Sequence, residues 1–331
     1  MKTEGANKKI NIFYFCLIAG SASFLFFQMQ KERLPSQLAS AQIDQAAGRI
    51  ENMIQETGPA QNLPAIVKKN NAFPLDIKAE AALSILIPLQ DSDISGSKIL
   101  FKKNADKKLP IASISKLMAA AVAIDNYPLS DRITISQEAL SAEGDGGKLN
   151  IGEDLTVNNL LYIMLIESSN DAAEALAEKI GRERFLALMN QKARDLEMED
   201  TSFISPNGLD PYDLSLFPNM SSALDLAKLM IHIQKNYPLI PQILSSKDLS
   251  LISPDGRFSH YLVNTNVLLY QPETLWGKTG YTKKANGCIV NLIKPKENDD
   301  HLIVNVILGA DDRFYEMQKM TDWVDVSYIW Q

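Results

Sequence analysis

The chain has 331 residues, 46% of them hydrophobic and 22% charged, which suits one large globular domain or two small ones. Its net charge of −7 and pI near 5.2 supply no basic field for nucleic acid. Cys16 and Cys288 cannot build a disulfide framework, and His232, His260 and His301 lack ligand spacing, so neither a metal nor any other cofactor is expected.

Lys8 and Lys9 precede an apolar run from Ile10 to Met29, long enough at about 1.5 Å per residue to cross a bilayer. Residues 1–30 therefore read as an uncleaved anchor, a transmembrane helix that leaves everything after Lys31 outside the cytoplasm. A cleaved signal peptide would export the same chain and secrete it. Against it, the run is long for a signal, and Ala39-Ser40-Ala41 lies about ten residues beyond it. A buried soluble helix is the third alternative. Residues 31–76, rich in Gln, Ala, Asn and Pro, read as a spacer with an amphipathic stretch from Leu38 to Ile54.

The folded domain is expected over residues 77–331. Ala79–Pro88 and Ile99–Lys102 are strand-like runs joined by the polar turn Gln90–Ser97, a hairpin pattern. From Ser113 the period becomes helical, with Leu117, Ala120, Ala121 and Ile124 on one face and Tyr127-Pro128 as the stop. Helical patterns follow at Thr156–Ile166, Asp171–Ile180, Arg182–Leu196 and Ser222–Ile233. Ile289–Ile293 and His301–Leu308 return to strand character, and Phe314–Trp330 reads as a last helix with no second module expected after it. This order predicts an α+β fold. Its antiparallel sheet is built from both chain ends and flanked by helices, with a helical subdomain inserted between.

Three short motifs could carry chemistry. Ser113-Ile114-Ser115-Lys116 places a hydroxyl and an amine at i and i+3 on one helix face, where a desolvated lysine can activate the serine. Ser168-Ser169-Asn170 joins two helical patterns and offers a hydroxyl and an amide; a helix cap is the plainer reading. Lys278-Thr279-Gly280, expected at the start of a strand, offers a cation, a hydroxyl and a close backbone approach; the plainer reading is a solvated lysine and a turn. Each is weak alone, because Ser95-Gly96-Ser97-Lys98 and Ser205-Pro206-Asn207 repeat the first two patterns elsewhere. Cys288, alone in a strand-like segment, reads as a small core residue. The order and context of the three motifs together make coincidence a poor explanation.

In that order the motifs resemble those of the low-molecular-mass penicillin-binding proteins, the serine-type D-Ala-D-Ala carboxypeptidases. Similarity extends over residues 78–331. It includes the approach Phe101–Ser113, Gly152-Glu153, Asp171-Ala172-Ala173, Asn207-Gly208-Leu209-Asp210 and Ser221–Ala227. The resemblance implies a serine β-lactamase/transpeptidase-like fold and a cofactor-free acyl-enzyme that acts on peptidoglycan stem peptides and binds β-lactam antibiotics. It makes Ser113 the nucleophile and Lys116 its base, with Ser168 and Asn170 relaying protons and gripping the peptide. Lys278 and Thr279 would hold the terminal carboxylate, Gly280 would let the backbone approach the substrate, and the backbone N–H groups of Ser113 and Tyr281 would hold the oxyanion. Arg313 is similar to a family arginine that supports carboxylate binding; beside Asp311 and Asp312 it could also be a plain surface residue. Ser169 and Tyr281 depart from the glycine and histidine common in relatives. The trailing all-β module and C-terminal anchor of many relatives are missing, which leaves tethering to the N-terminal segment. The expected reaction is removal of terminal D-alanine. The alternatives are an endopeptidase that cuts crosslinks, a β-lactamase and a non-catalytic wall-binding module. A β-lactamase is disfavoured because Gly146-Gly147-Lys148-Leu149-Asn150 lacks the glutamate of a Glu-x-x-Leu-Asn setting.

Overall fold

Apolar runs from opposite ends of the sequence meet at the centre of the molecule. The computed structural model describes residues 66–88, 97–141, 148–213, 215–296 and 300–330. In chain order these form β1 (Val67–Lys68), β2 (Ala81–Pro88), β3 (Lys98–Lys103), β4 (Leu109–Pro110), α1 (Lys116–Asn126), β5 (Arg132–Thr134) and β6 (Asp154–Thr156). Then come α2 (Val157–Ile166), α3 (Asn170–Glu178), α4 (Arg182–Asp195), β7 (Met220–Ser221), α5 (Ala223–Asn236) and α6 (Leu239–Leu244). The remainder is β8 (Asp248–Ile252), β9 (Ser259–Val263), β10 (Thr274–Thr282), β11 (Asn286–Ile293), β12 (His301–Ala310), α7 (Arg313–Ser327) and β13 (Tyr328–Ile329).

The main sheet has five antiparallel strands in the order β10-β11-β12-β2-β3, with β12 paired to β2 from His301↔Pro88 to Leu308↔Ala81. Strands from both chain ends thus build one sheet, and α1–α6 lie in the stretch between β3 and β10, as the α+β expectation requires. β2 is buried on both faces, which is why it reads as a continuous apolar run. Ala81, Leu83, Ile85 and Ile87 join the main core with Leu117, Leu160 and Leu226 of the inserted helices. Ala82 and Leu86, on the other face, pack against Met317, Met320 and Val324 of α7.

The last helix stops earlier than its period suggested. It ends at Ser327, and Tyr328–Ile329 turn extended to pair with β1 at Val67↔Ile329 and Lys68↔Tyr328. The Tyr328 hydroxyl donates to Leu100 O at 2.6 Å and its ring meets Trp323 edge-on, so packing overrides helical propensity there. Residues 66–76, read above as spacer, supply β1 and the buried Ile66. A hairpin of β8 and β9 was not foreseen; its outward residues, among them Ile252 and Tyr261, blur the alternation that marks a one-sided sheet.

One expectation needs correction. Among the described residues no helix is long and apolar enough to cross a membrane. The longest of these, α7 with 15 residues, would rise only about 22 Å and carries Lys319, Asp322 and Asp325. The transmembrane helix expected from Ile10 to Met29 and the amphipathic stretch Leu38–Ile54 lie outside the described residues.

Candidate active site

The turn before α1 is shaped by its neighbours. Ile111 N donates to Asn219 O at 3.1 Å, and β4 pairs with β7, which fixes the approach to Ser113. Ala112 then adopts φ 47°, a left-handed conformation that costs an L-residue about 1–2 kcal/mol. The Ser115 hydroxyl donates back to Ala112 O at 2.7 Å and closes a 3-10 turn over Ala112–Ser115. Two glycines press on this turn. A Cβ on Gly208 would lie 2.1 Å from Ala112 O, and one on Gly280 would lie 3.0 Å from both Ile111 O and Ser113 N. Neither position admits a side chain without displacing the turn.

Lys116 opens α1 and is fully buried. Its Nζ lies 2.8 Å from Ser113 Oγ, 2.7 Å from Asn170 Oδ1 and 2.6 Å from Asn207 O. Burial first, and the nearby Lys278 ammonium second, hold its pKa well below the usual lysine range. Two of the three neighbours are carbonyl oxygens that can only accept. The third, the Ser113 hydroxyl, accepts from Lys116 Nζ when that group is charged and can give it a proton when it is neutral.

Ser168 and Asn170 owe their placement to helix ends. A capping box starts α2, with Thr156 Oγ1 accepting from Asn159 N at 3.0 Å and Asn159 Oδ1 accepting from Thr156 N at 3.1 Å. After α2 ends, Ser168 adopts φ 63°, and Ser169 caps α3 by accepting from Ala172 N at 3.2 Å. The capping role foreseen for this tripeptide thus falls on its central serine, leaving Ser168 and Asn170 to face the two lysines. Lys278 Nζ donates to Ser168 Oγ at 2.8 Å and to Thr279 O at 3.0 Å. It lies in the middle of β10, not at a strand start, and burial followed by the Arg313 guanidinium lowers its pKa to about 7. Thr279 Oγ1 shares a 2.7 Å hydrogen bond with Thr265 Oγ1.

The structure therefore gathers Ser113, Lys116, Ser168, Asn170, Lys278, Thr279 and Gly280. Tyr281 has an exposed side chain just beyond them. Arg313 is half-buried, close enough to perturb Lys278, with its guanidinium 4.6 Å from the Phe314 ring; its buried Nε has no hydrogen-bond partner among the described residues. The look-alike Ser97-Lys98 falls at the start of β3, where Lys98 Nζ bonds to Ile66 O. Cys288 is buried in β11, its thiol pushed up to about 11 by burial. Among the described residues no group of three His, Cys, Asp or Glu side chains could hold a metal ion.

Sequence reasoning missed Asn207 as a partner of Lys116. Its Ser-Pro-Asn-Gly setting announces a turn, which Ser205 Oγ closes by accepting from Gly208 N at 3.0 Å, but a backbone carbonyl leaves no mark in a sequence pattern.

Comparison with known proteins bears on the whole described domain. A family model for D-alanyl-D-alanine carboxypeptidase matches residues 68–312. The D-alanyl-D-alanine endopeptidase of Escherichia coli (strain K12) is 29% identical over 245 residues, covering 72% of this chain and 76% of that protein. The D-alanyl-D-alanine carboxypeptidase DacF of Bacillus subtilis (strain 168) is 30% identical over 275 residues, covering 80% and 67%. A solved D-alanyl-D-alanine carboxypeptidase from Mycobacterium tuberculosis H37Rv superposes with a TM-score of 0.67 at 26% identity, covering 78% of this chain and 95% of that one.

Proposed function

Because the chain belongs to the D-alanyl-D-alanine carboxypeptidase family and is a serine-type D-Ala-D-Ala peptidase, we propose that it removes the terminal D-alanine from peptidoglycan stem pentapeptides through an acyl-enzyme on Ser113. Family membership also puts its action outside the cytoplasm. The observation that carries the reading is the buried Lys116 amine, held by two carbonyls and 2.8 Å from the Ser113 hydroxyl.

Ser113 Oγ attacks the carbonyl carbon of the penultimate D-alanine while its proton passes to Lys116 Nζ. The backbone N–H groups of Ser113 and Tyr281 receive the developing oxyanion, and the close approach of Gly280 to Ser113 N supports that role. The scissile nitrogen takes a proton relayed through Ser168, the C–N bond breaks, and D-alanine leaves. Lys278 in its protonated form, with Thr279 and Arg313, holds the carboxylate of that leaving group. Water then attacks the ester carbonyl and gives a proton to Lys116; the acyl C–Oγ bond breaks, Lys116 passes that proton to Ser113 Oγ, and the shortened peptide leaves as its carboxylate. A β-lactam enters by the same attack, but its leaving nitrogen stays tethered and the adduct persists.

A second reading, cleavage of crosslinks, is favoured by the likeness to a protein named D-alanyl-D-alanine endopeptidase. Where a crosslink is made to the D-centre of a diamino acid, its scissile nitrogen also neighbours a free carboxylate, so the same three side chains would serve. Mass spectrometry should find one penicillin adduct, on Ser113, and none in Ser113→Ala; an adduct that survives the substitution overturns the assignment. Faster D-alanine release from a pentapeptide than scission of a crosslinked muropeptide supports the first reading, and the reverse order selects the second.

A further inference from the structure

Glu174 stands four residues after Asn170 on α3, one helical turn along the same face, and only 9% of it is exposed. Its Oε1 accepts from Asn207 Nδ2 at 2.7 Å. Asn207 is itself buried, and its backbone oxygen is one of the two carbonyls that hold Lys116. A carboxylate therefore sits one residue removed from the amine, joined to it through both groups of a single asparagine. From this geometry we infer that Glu174 is a positioning residue: it fixes Asn207 against Lys116 and stabilises the ammonium formed when Lys116 takes the Ser113 proton. The inference rests on the reading of Lys116 as the base.

An uncharged acceptor would satisfy Asn207 Nδ2 equally well, and a buried carboxylate carries a desolvation cost that an amide avoids. Arg182 answers part of that charge from the protein edge, 3.0 Å from Oε2, and Lys116 gives it a second use. Burial and Lys278 both push it toward the neutral form, and Glu174 is the group that acts the other way. A base that is neutral at rest must still become a cation midway through acylation, inside a dry pocket with Lys278 beside it. A fixed negative charge on the far side of Asn207 favours that state without competing for the proton, because no hydrogen bond joins Glu174 to Lys116.

The groups facing Glu174 are few. Arg182, which opens α4, donates from Nε to Oε2 at 3.0 Å; Glu178 lies one turn on along α3; Lys116 lies across Asn207. Burial raises the Glu174 pKa, Arg182 and Lys116 lower it, and Glu178 raises it. Glu174 gains and loses no proton in the cycle: the proton moves from Ser113 Oγ to Lys116 Nζ and on to the leaving nitrogen.

The test compares E174Q, which keeps an oxygen facing Asn207 and deletes the charge, with E174A, which removes both. Acylation of Ser113 by a fluorescent penicillin is followed against pH, and the Lys116 Cε resonance is titrated by NMR in the Ser113→Ala protein with and without E174Q. In E174Q both the acid limb of acylation and the Lys116 titration should move down by about half to one pH unit, and the plateau rate should fall about 3- to 10-fold. E174A should lower the rate further. An E174Q profile and titration that coincide with those of the parent protein overturn the inference whatever the rate, since a purely structural role moves neither. Failure of the parent protein to label at Ser113 removes the acyl-enzyme reading and this inference together. Normal labelling with an unmoved E174Q removes this inference alone.

Discussion

Replacing Gly208 by alanine asks how tightly the Ser113 turn is held. The added methyl would sit 2.1 Å from Ala112 O and 2.5 Å from Ala112 C, where ordinary contact begins at 3.4 Å, so the turn or the loop must give by about 1.3 Å. Gly208 also has φ 87°, which costs an alanine about 1–2 kcal/mol before any overlap is counted. With about 1–2 kcal/mol more for the overpacked contact, the total approaches 3 kcal/mol, or about 6–12 °C in Tm for a domain of this size. Displacement of Ala112 carries Ser113 with it, and displacement of Asn207 loosens Lys116. A misplacement of about 1 Å at a reacting group costs on the order of 100-fold in rate. Gly256 supplies the control: its φ is 72° but no heavy atom lies within 4 Å of its missing methyl, so Gly256→Ala should lower the melting temperature by a few degrees and leave acylation intact. Stopped-flow acylation and thermal melts of the two variants give the comparison. Acylation of Gly208→Ala within about threefold of the parent would refute the packing argument.

Three further outcomes follow from distances and burial. In the proposed reaction carboxylate binding needs protonated Lys278, and that proton is lost as pH rises through about 7. The kcat/KM for a D-alanine-terminated peptide should therefore show an alkaline limb near that pH, and Lys278→Arg, which stays charged, should push the limb upward; an unmoved limb assigns it to another group. Asn170→Ala strips one acceptor from the buried Lys116 amine and should slow penicillin acylation by about 5- to 100-fold, with a full adduct still formed at long times. His260→Ala removes the 2.5 Å partner of the fully buried Glu153, leaving Asn150 as its remaining contact. It should cost about 3 kcal/mol and lower the melting temperature by about 6–12 °C, with acylation per folded molecule unchanged.

What the sequence disclosed and what it withheld divide along physical lines. β2 and β12 were legible because strands covered on both sides are unbroken apolar runs, and α1 because a 3.6-residue period with Tyr127-Pro128 after it has few other meanings. Ser113 and Lys116 meet because an i, i+3 spacing at a helix start is a local property, whereas Asn170 reaches Lys116 across 54 residues and was legible only through its motif. The β8–β9 hairpin, the extended end at Tyr328 and the Asn207 carbonyl were illegible because each depends on what packs against it. Ser205-Pro206-Asn207, set aside as a chance repeat of a motif, shows the difference: its resemblance to Ser-x-Asn was accidental, yet its backbone oxygen lies 2.6 Å from Lys116.

The pairing of β2 with β12 has a consequence for how the molecule comes into being. Its registers join residues 81–88 to residues 301–308, so a growing polypeptide exposes one of its most apolar strands long before the matching edge has been synthesised. β3 can shelter one side of β2 early, but the open side must wait for more than two hundred further residues, and an unmatched apolar edge invites wrong partners. Completion of the sheet therefore waits for the C-terminal strands, and until they arrive masking of β2 by a holdase chaperone would protect the chain.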